Sequence, residues 1–114
     1  MNDYYSFETQ NGVQILKVND LLSEFTNKDL LNNATKKIEA GQNNIIVDLS
    51  AIDYMNSVGI NLIIQLERQT KAANGKMVLV NPSEKVGQLL KITKLWPLLC
   101  IENSIEEGIK KIQE

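Results

Sequence analysis

The chain has 114 residues, 43% of them hydrophobic, and a formal net charge of -2, enough apolar material for one core and too little length for two domains, so residues 1–114 are expected to form a single domain. No basic cluster supplies the long-range attraction used by nucleic-acid binders or by proteins bound to anionic membranes, and no apolar run approaches the length of a bilayer span. The first ten residues, MNDYYSFETQ, lack the basic and apolar parts of a signal peptide, so a cytoplasmic protein is expected.

In chain order, Tyr4 to Gln10 and Val13 to Val18 alternate as strands do and flank Asn11-Gly12, a strong short-range hairpin signal, so the sheet is expected to begin with an antiparallel pair. The stretch LLSEFTN is ambiguous. A helix follows from about Asn27 to Ala40, with Leu30, Leu31, Ala34 and Ile38 on one stripe and Gly41 as its stop. Ile45-Ile46-Val47 is a continuous β-branched run of the kind found in strands covered on both faces. Val58 to Ala73 reads as a helix stopped by Asn74-Gly75, and Lys76 to Val80 as a further strand. Pro82-Ser83-Glu84 opens a helix carrying Val86, Leu89, Leu90 and Thr93, and Leu98 to Ile101 is the last strand. Ser104 with Glu107 three residues on forms a capping box for a terminal helix containing Ile105, Ile109 and Ile112. The order β-β-α-β-α-β-α-β-α requires right-handed parallel crossovers, giving a small α/β sandwich with a mixed, mostly parallel sheet of about five strands and about four helices.

The residue inventory narrows the chemistry. There is no histidine, which removes phosphohistidine relays, Ser-His and Cys-His nucleophile pairs and the usual zinc ligand sets. The carboxylates Asp20, Asp48 and Asp53 are not spaced as a catalytic pair, and no Gly-rich phosphate loop is present, since Gly59 and Gly75 are isolated. Cys100 is the single cysteine and lies in the apolar run Leu98-Leu99-Cys100-Ile101, where a thiol acts as a small hydrophobe. The expected protein is not an enzyme and needs no cofactor or metal.

The junction from Asn44 to Gly59 carries the clearest functional signal. Asn56 and Ser57 are both good N-cap residues, which places Ser57 at or just inside the mouth of the following helix. Free N–H groups and the positive end of the helix dipole favour an anion there, whether a bound phosphate or one attached to the serine; the plainer role is a cap. A projection of about 100° per residue puts Gly59, Leu62, Ile63, Leu66, Thr70 and Ala73 on one arc, the core face. Ile60 and Ile64 fall outside it and form a second apolar edge beyond Ser57, suited either to a docking partner or to a neighbouring helix.

The segment VDLSAIDYMNSVGINLI resembles the signature region of STAS domains, specifically the small bacterial anti-sigma factor antagonists. That family reads V-x-D-L-S, a few residues, an apolar residue, D-S-[ST]-G and an apolar helix; the counterparts are Val47-Asp48-Leu49-Ser50 and Met55-Asn56-Ser57-Val58-Gly59-Ile60. The stretch from Asn74 to Ile109 is similar to the family's later pattern as well, so the resemblance covers the chain from about Asn43 onward. It implies a protein that binds an anti-sigma factor with serine kinase activity, frees the sigma factor, and is switched off when Ser57 is phosphorylated. The partner surface it implies comprises Asn56, Ser57, Val58, Gly59, Ile60 and Ile64, with Asp20 from the loop after the second strand, on a monomer or weak dimer.

Three positions depart from the pattern. Asn56 stands where the family has aspartate, Val58 cannot carry a phosphate, and Asn19-Asp20-Leu21-Leu22 does not reproduce the family's G-x-[LI]-D. Two rival functions follow. One is a STAS scaffold in a larger sensory or lipid-linked assembly without phosphorylation; the other is a small-molecule or nucleotide binder using the helix N-terminus.

Overall fold

A computed structural model describes residues 4–20 and 23–114. The chain runs β1 (Tyr5–Gln10), β2 (Val13–Val18), α1 (Glu24–Glu39), β3 (Ile45–Asp48), α2 (Ser57–Ala72), β4 (Met77–Val80), α3 (Glu84–Ile92), a 3-10 turn (Trp96–Leu98), β5 (Cys100–Glu102) and α4 (Ile105–Gln113). The five strands form one sheet in the order β1-β2-β3-β4-β5. β1 and β2 are antiparallel, with Gln10 opposite Val13, and the remaining neighbours are parallel. Asn11 and Gly12 both take positive φ, 54° and 77°, as a two-residue hairpin whose twist matches its strands requires.

The placement of the helices follows from chirality. Each of α1, α2 and α3 joins two parallel strands, and each new strand is added on the same side of the last, so right-handed crossovers put all three helices on one face. That face holds the larger core, where Leu16, Val47 and Leu79 of the sheet meet Leu30 and Ala34 of α1, Leu62 and Leu66 of α2, and Val86 and Leu90 of α3. After β5 no further strand follows, so α4 is not bound by the crossover rule. It covers the opposite face, packing Ile109 and Ile112 on Val13, Ile15, Ile46, Val78 and Val80. All four residues of β3 are buried, in accord with its unbroken β-branched run.

Each of the four helices begins with a side-chain cap three residues ahead of its donor: Ser23 for Thr26, Asn56 for Gly59, Ser83 for Val86 and Ser104 for Glu107. These bonds satisfy N–H groups that a helix start would otherwise leave unpaired. The ambiguous stretch resolves at Ser23, which caps α1 and starts it three residues before the expected Asn27; Leu21 and Leu22 lie outside the described residues. Leu98 belongs to the 3-10 turn and not to the last strand, because Pro97 lacks the N–H that a strand would use. At the capping box the Glu107 carboxylate accepts from the Asn103 N–H, one residue before the cap. The stop after α2 also divides its labour. Asn74 takes the left-handed conformation, φ 61°, whereas Gly75 is needed for space, since a side chain there would overlap the Asn43 backbone carbonyl.

Candidate functional site at the mouth of helix α2

The central strand β3 ends at Asp48, and the loop that follows leads back to the start of α2. Asp48 is buried, and its Oδ1 accepts the Ser50 N–H at 3.0 Å and the Asn81 Nδ2 at 3.4 Å. Its carboxylate therefore holds the strand ends in register, a structural task. Ser83 ties the same loop to α3 by donating to the Asp53 carbonyl at 3.0 Å while capping α3. Ile52 and Met55 point inward and are buried. Tyr54 between them is exposed, at 55% of its surface.

Asn56 has extended backbone angles, φ -95° and ψ -179°, and its Oδ1 accepts the Gly59 N–H at 3.0 Å. Asn56 is thus the cap, and Ser57 is the first helical residue, exposed, with its hydroxyl outside the capping bond. Gly59 sits against the loop so closely that a Cβ would come within 2.6 Å of the Met55 Cγ. Val58 and Ile60 are half-buried and pack against the larger core. Ile64, one turn further on, is half-buried as well. The core arc is as expected at Gly59, Leu62, Ile63, Leu66 and Thr70, with Ala73 half-buried at the helix end. Ile60 is less free of the core than its wheel position implies, because its flank still reaches the main cluster.

Two concavities adjoin Ser57. A narrow, largely apolar crevice beneath the loop is lined by Asp20 together with Asn56, Gly59, Tyr54, Met55 and residues of the core, so Asp20 does come to the α2 junction. An open groove on the other side is lined by Glu24, Asn27, Ser57, Val58 and Asn61. No lysine or arginine lines either one. Glu24 and Asn27, both from the first turn of α1, are site neighbours that the sequence reading did not include. Ser23 followed by an acidic residue at the next position is the signal that would have found them, a cap with its dipole-matched carboxylate. Sequence distance hid the juxtaposition, which arises because α1 and α2 pack side by side, Thr35 Oγ1 donating to Gln69 Oε1 at 2.9 Å.

Strand order, the serine at the mouth of α2 and the glycine behind it define one class of domain. The STAS domain family matches residues 4–108, and the chain belongs to it. Among its relatives, the anti-sigma-B factor antagonist of Staphylococcus aureus is 26% identical over 106 residues, covering 93% of this chain and 98% of that protein. The fold matches a Thermotoga maritima protein provisionally assigned as an anti-sigma factor antagonist, with a TM-score of 0.89, 22% identity and coverage of 98% and 97% of the two chains. It also matches the Bacillus cell fate determinant SpoIIAA in its phosphorylated form, with a TM-score of 0.75, 20% identity and coverage of 95% and 98%.

Proposed function

We propose that this protein binds an anti-sigma factor that is also a serine kinase, and that phosphorylation of Ser57 ends the binding. The observation that carries this reading is the division of labour at the mouth of α2. Asn56 performs the capping, so Ser57 is exposed with its hydroxyl outside the capping bond. In the reaction the Ser57 oxygen attacks the γ-phosphorus of ATP bound to the partner, the bond from that phosphorus to the β-γ bridging oxygen breaks, ADP departs and the hydroxyl proton is released. Helix polarity favours the product, since the positive end of α2 faces the new negative charge. The docking surface comprises Asn56, Ser57, Val58, Gly59 and Ile60, with Asp20 beside the crevice and Ile64 one turn further along α2.

The switch is electrostatic. A phosphoserine carries close to two negative charges near neutral pH, and placing them in an interface costs desolvation and repels any carboxylate opposite. Incubation with co-encoded ATP-dependent kinases, followed by mass spectrometry of the peptide containing Ser57, tests the modification; a phosphate found elsewhere, or nowhere, overturns it. Ser57→Asp should fold normally and lose partner affinity by at least about tenfold, roughly 1.4 kcal/mol. Equal affinities of the mutant and wild type in calorimetry would remove Ser57 from the interface.

A second reading has one observation in its favour. Asn56 leaves no carboxylate directly beside the acceptor hydroxyl, and an uncharged cap suits a scaffold that docks without being modified. Binding of the same partner by wild type, Ser57→Ala and Ser57→Asp with one affinity would select it.

A further inference from the structure

The connections that leave the C-terminal ends of the parallel strands do not all turn the same way. Those after β2, β3 and β4 carry α1, α2 and α3 over one face of the sheet, whereas the one after β5 carries α4 to the other. β4 and β5 are neighbours, so the chain parts between them. The gap that diverging connections leave at the carboxyl ends of parallel strands is where open α/β sheets hold their ligands. A cleft of about 530 Å³ opens there, within the range of small-molecule sites, roughly 300 to 1,000 Å³. Both connections build its rim, Asn81 and Ser83 from the first and Asn103 from the second. The rim is held in place: Asn81, in the left-handed conformation at φ 57°, donates its N–H to the Glu102 carbonyl at 3.3 Å, and the Asn103 N–H donates to the Glu107 carboxylate.

The cleft has two chemically different ends. Glu84, Gly87, Gln88 and Lys91 all line it, the spacing of one helix face, so it runs from the rim along α3. Its far end holds Trp96 and Ile101, both half-buried. Over the Trp96 ring stands the Lys91 Nζ, 4.7 Å from the centroid. The ion pairs among the described residues are made by Lys71 and Lys111, so no carboxylate neutralises Lys91. Glu84 lies seven residues earlier on the helix, about 10 Å away at ~1.5 Å per residue, too far to pair with it. The cation is thus at the apolar end and the carboxylate at the amide-lined end.

We propose that this cleft binds a small organic carboxylate with a flat apolar body, the carboxylate on Lys91 and the body against Trp96 and Ile101. Moving the ammonium from the ring to a carboxylate uncovers the ring face as a platform, and nothing else in the cleft has to separate. A single ammonium suits a single negative charge. Glu84 repels an anionic group at the rim, so the ligand can enter in one orientation only, with neutral polar groups toward Asn81 and Asn103. No residue lining either concavity beside Ser57 lines this cleft, so its ligand is independent of the serine's role.

The test is a titration of the 15N-labelled full chain, followed by NMR, with phenylacetate and its neutral isostere phenylacetamide as probes. Trp96 is the single tryptophan, so one indole N–H signal reports on the far end, while the backbone amides of Asn81, Ser83 and Asn103 report on the rim. Phenylacetate should move these signals saturably and bind about threefold more tightly than phenylacetamide, the advantage of one exposed ion pair. Lys91→Met keeps the apolar stem and removes the charge; it should bring the two probes to equal affinity and leave that of phenylacetamide unchanged. Equal affinities in wild type overturn the proposal, as does a preference for phenylacetate that survives in Lys91→Met, since either result takes the carboxylate off Lys91. With no saturable movement of the Trp96 signal by either probe, or with movement confined to residues outside the cleft, the site itself is refuted.

Discussion

Truncating Leu66 and Ile64 in parallel tests the division of α2 into a core face and a docking edge. Leu66 is fully buried between the sheet and its neighbouring helices, so Leu66→Ala removes its transfer energy and leaves a cavity, a loss of about 3 kcal/mol. Ile64 is half-buried; about half of the 2 to 3 kcal/mol available from full burial, without an enclosed cavity, gives a loss of about 1 kcal/mol for Ile64→Ala. With a urea slope of about 1.5 kcal/mol per molar, the midpoints should fall by about 2 M and about 0.7 M respectively. The single tryptophan, Trp96, reports the transition by fluorescence, and far-ultraviolet circular dichroism checks that it is two-state. Binding should show the reverse ranking, with Ile64→Asp weakening partner association while the protein remains folded. Equal midpoint shifts for Leu66→Ala and Ile64→Ala would make Ile64 a core residue and refute the docking edge.

The cap, the glycine behind it and the thiol give three more expectations. Asn56→Asp should alter stability by less than about 1 kcal/mol in urea, because both side chains cap well and aspartate also gains from the helix dipole; phosphorylation of Ser57 by a cognate kinase should become faster, and equal rates would show that a carboxylate at this position has no catalytic use. Gly59→Ala drives its new methyl into Met55 and should cost about 1 to 2 kcal/mol, and combining it with Met55→Ala should cost less than the sum of the two single changes. Strict additivity would show that the contact does not constrain the loop. Burial raises the Cys100 thiol pKa above its ordinary 9.0, with the Glu102 carboxylate adding to the effect. The folded chain thus keeps its proton where the unfolded chain has begun to lose it. The resulting stability is whole below the unfolded-state pKa and is lost as pH rises toward the folded one. Urea midpoints between about pH 8 and pH 10 should therefore decline more steeply for wild type than for Cys100→Ala; parallel declines would place the thiol in an ordinary aqueous setting.

Legibility in the sequence followed the range of the forces involved. The hairpin was readable because Asn11-Gly12 fixes a turn by itself. β3 was readable because a strand buried on both faces has no polar alternation to confuse the pattern. The start of α1 was obscured because the stretch LLSEFTN holds two side chains able to cap, Ser23 and Thr26, and its aromatic residue, Phe25, is 84% exposed in the fold and so marks no core face. Gly75 was legible as a stop but not as a close approach, since its reason is the Asn43 carbonyl from a loop 32 residues away. The same limit applies at the candidate site. Ser57 and Gly59 are two residues apart in sequence and were found together, while Asn27 and Glu24 meet Ser57 only across a helix pair.

The single-direction order of the sheet also has a consequence for how the molecule is made. Every strand pairs with the one synthesised just before it, so a chain emerging from the ribosome can extend its sheet one crossover at a time, without waiting for a distant partner and at low loop-closure cost. The face bearing α1, α2 and Ser57 is consequently assembled early. The opposite face, with Val13, Ile15, Ile46, Val78 and Val80, stays open to water until α4, the last helix, settles on it. Recognition surface and hydrophobic closure thus lie at opposite ends of the assembly sequence, and a nascent chain can display the serine side before its other side is sealed.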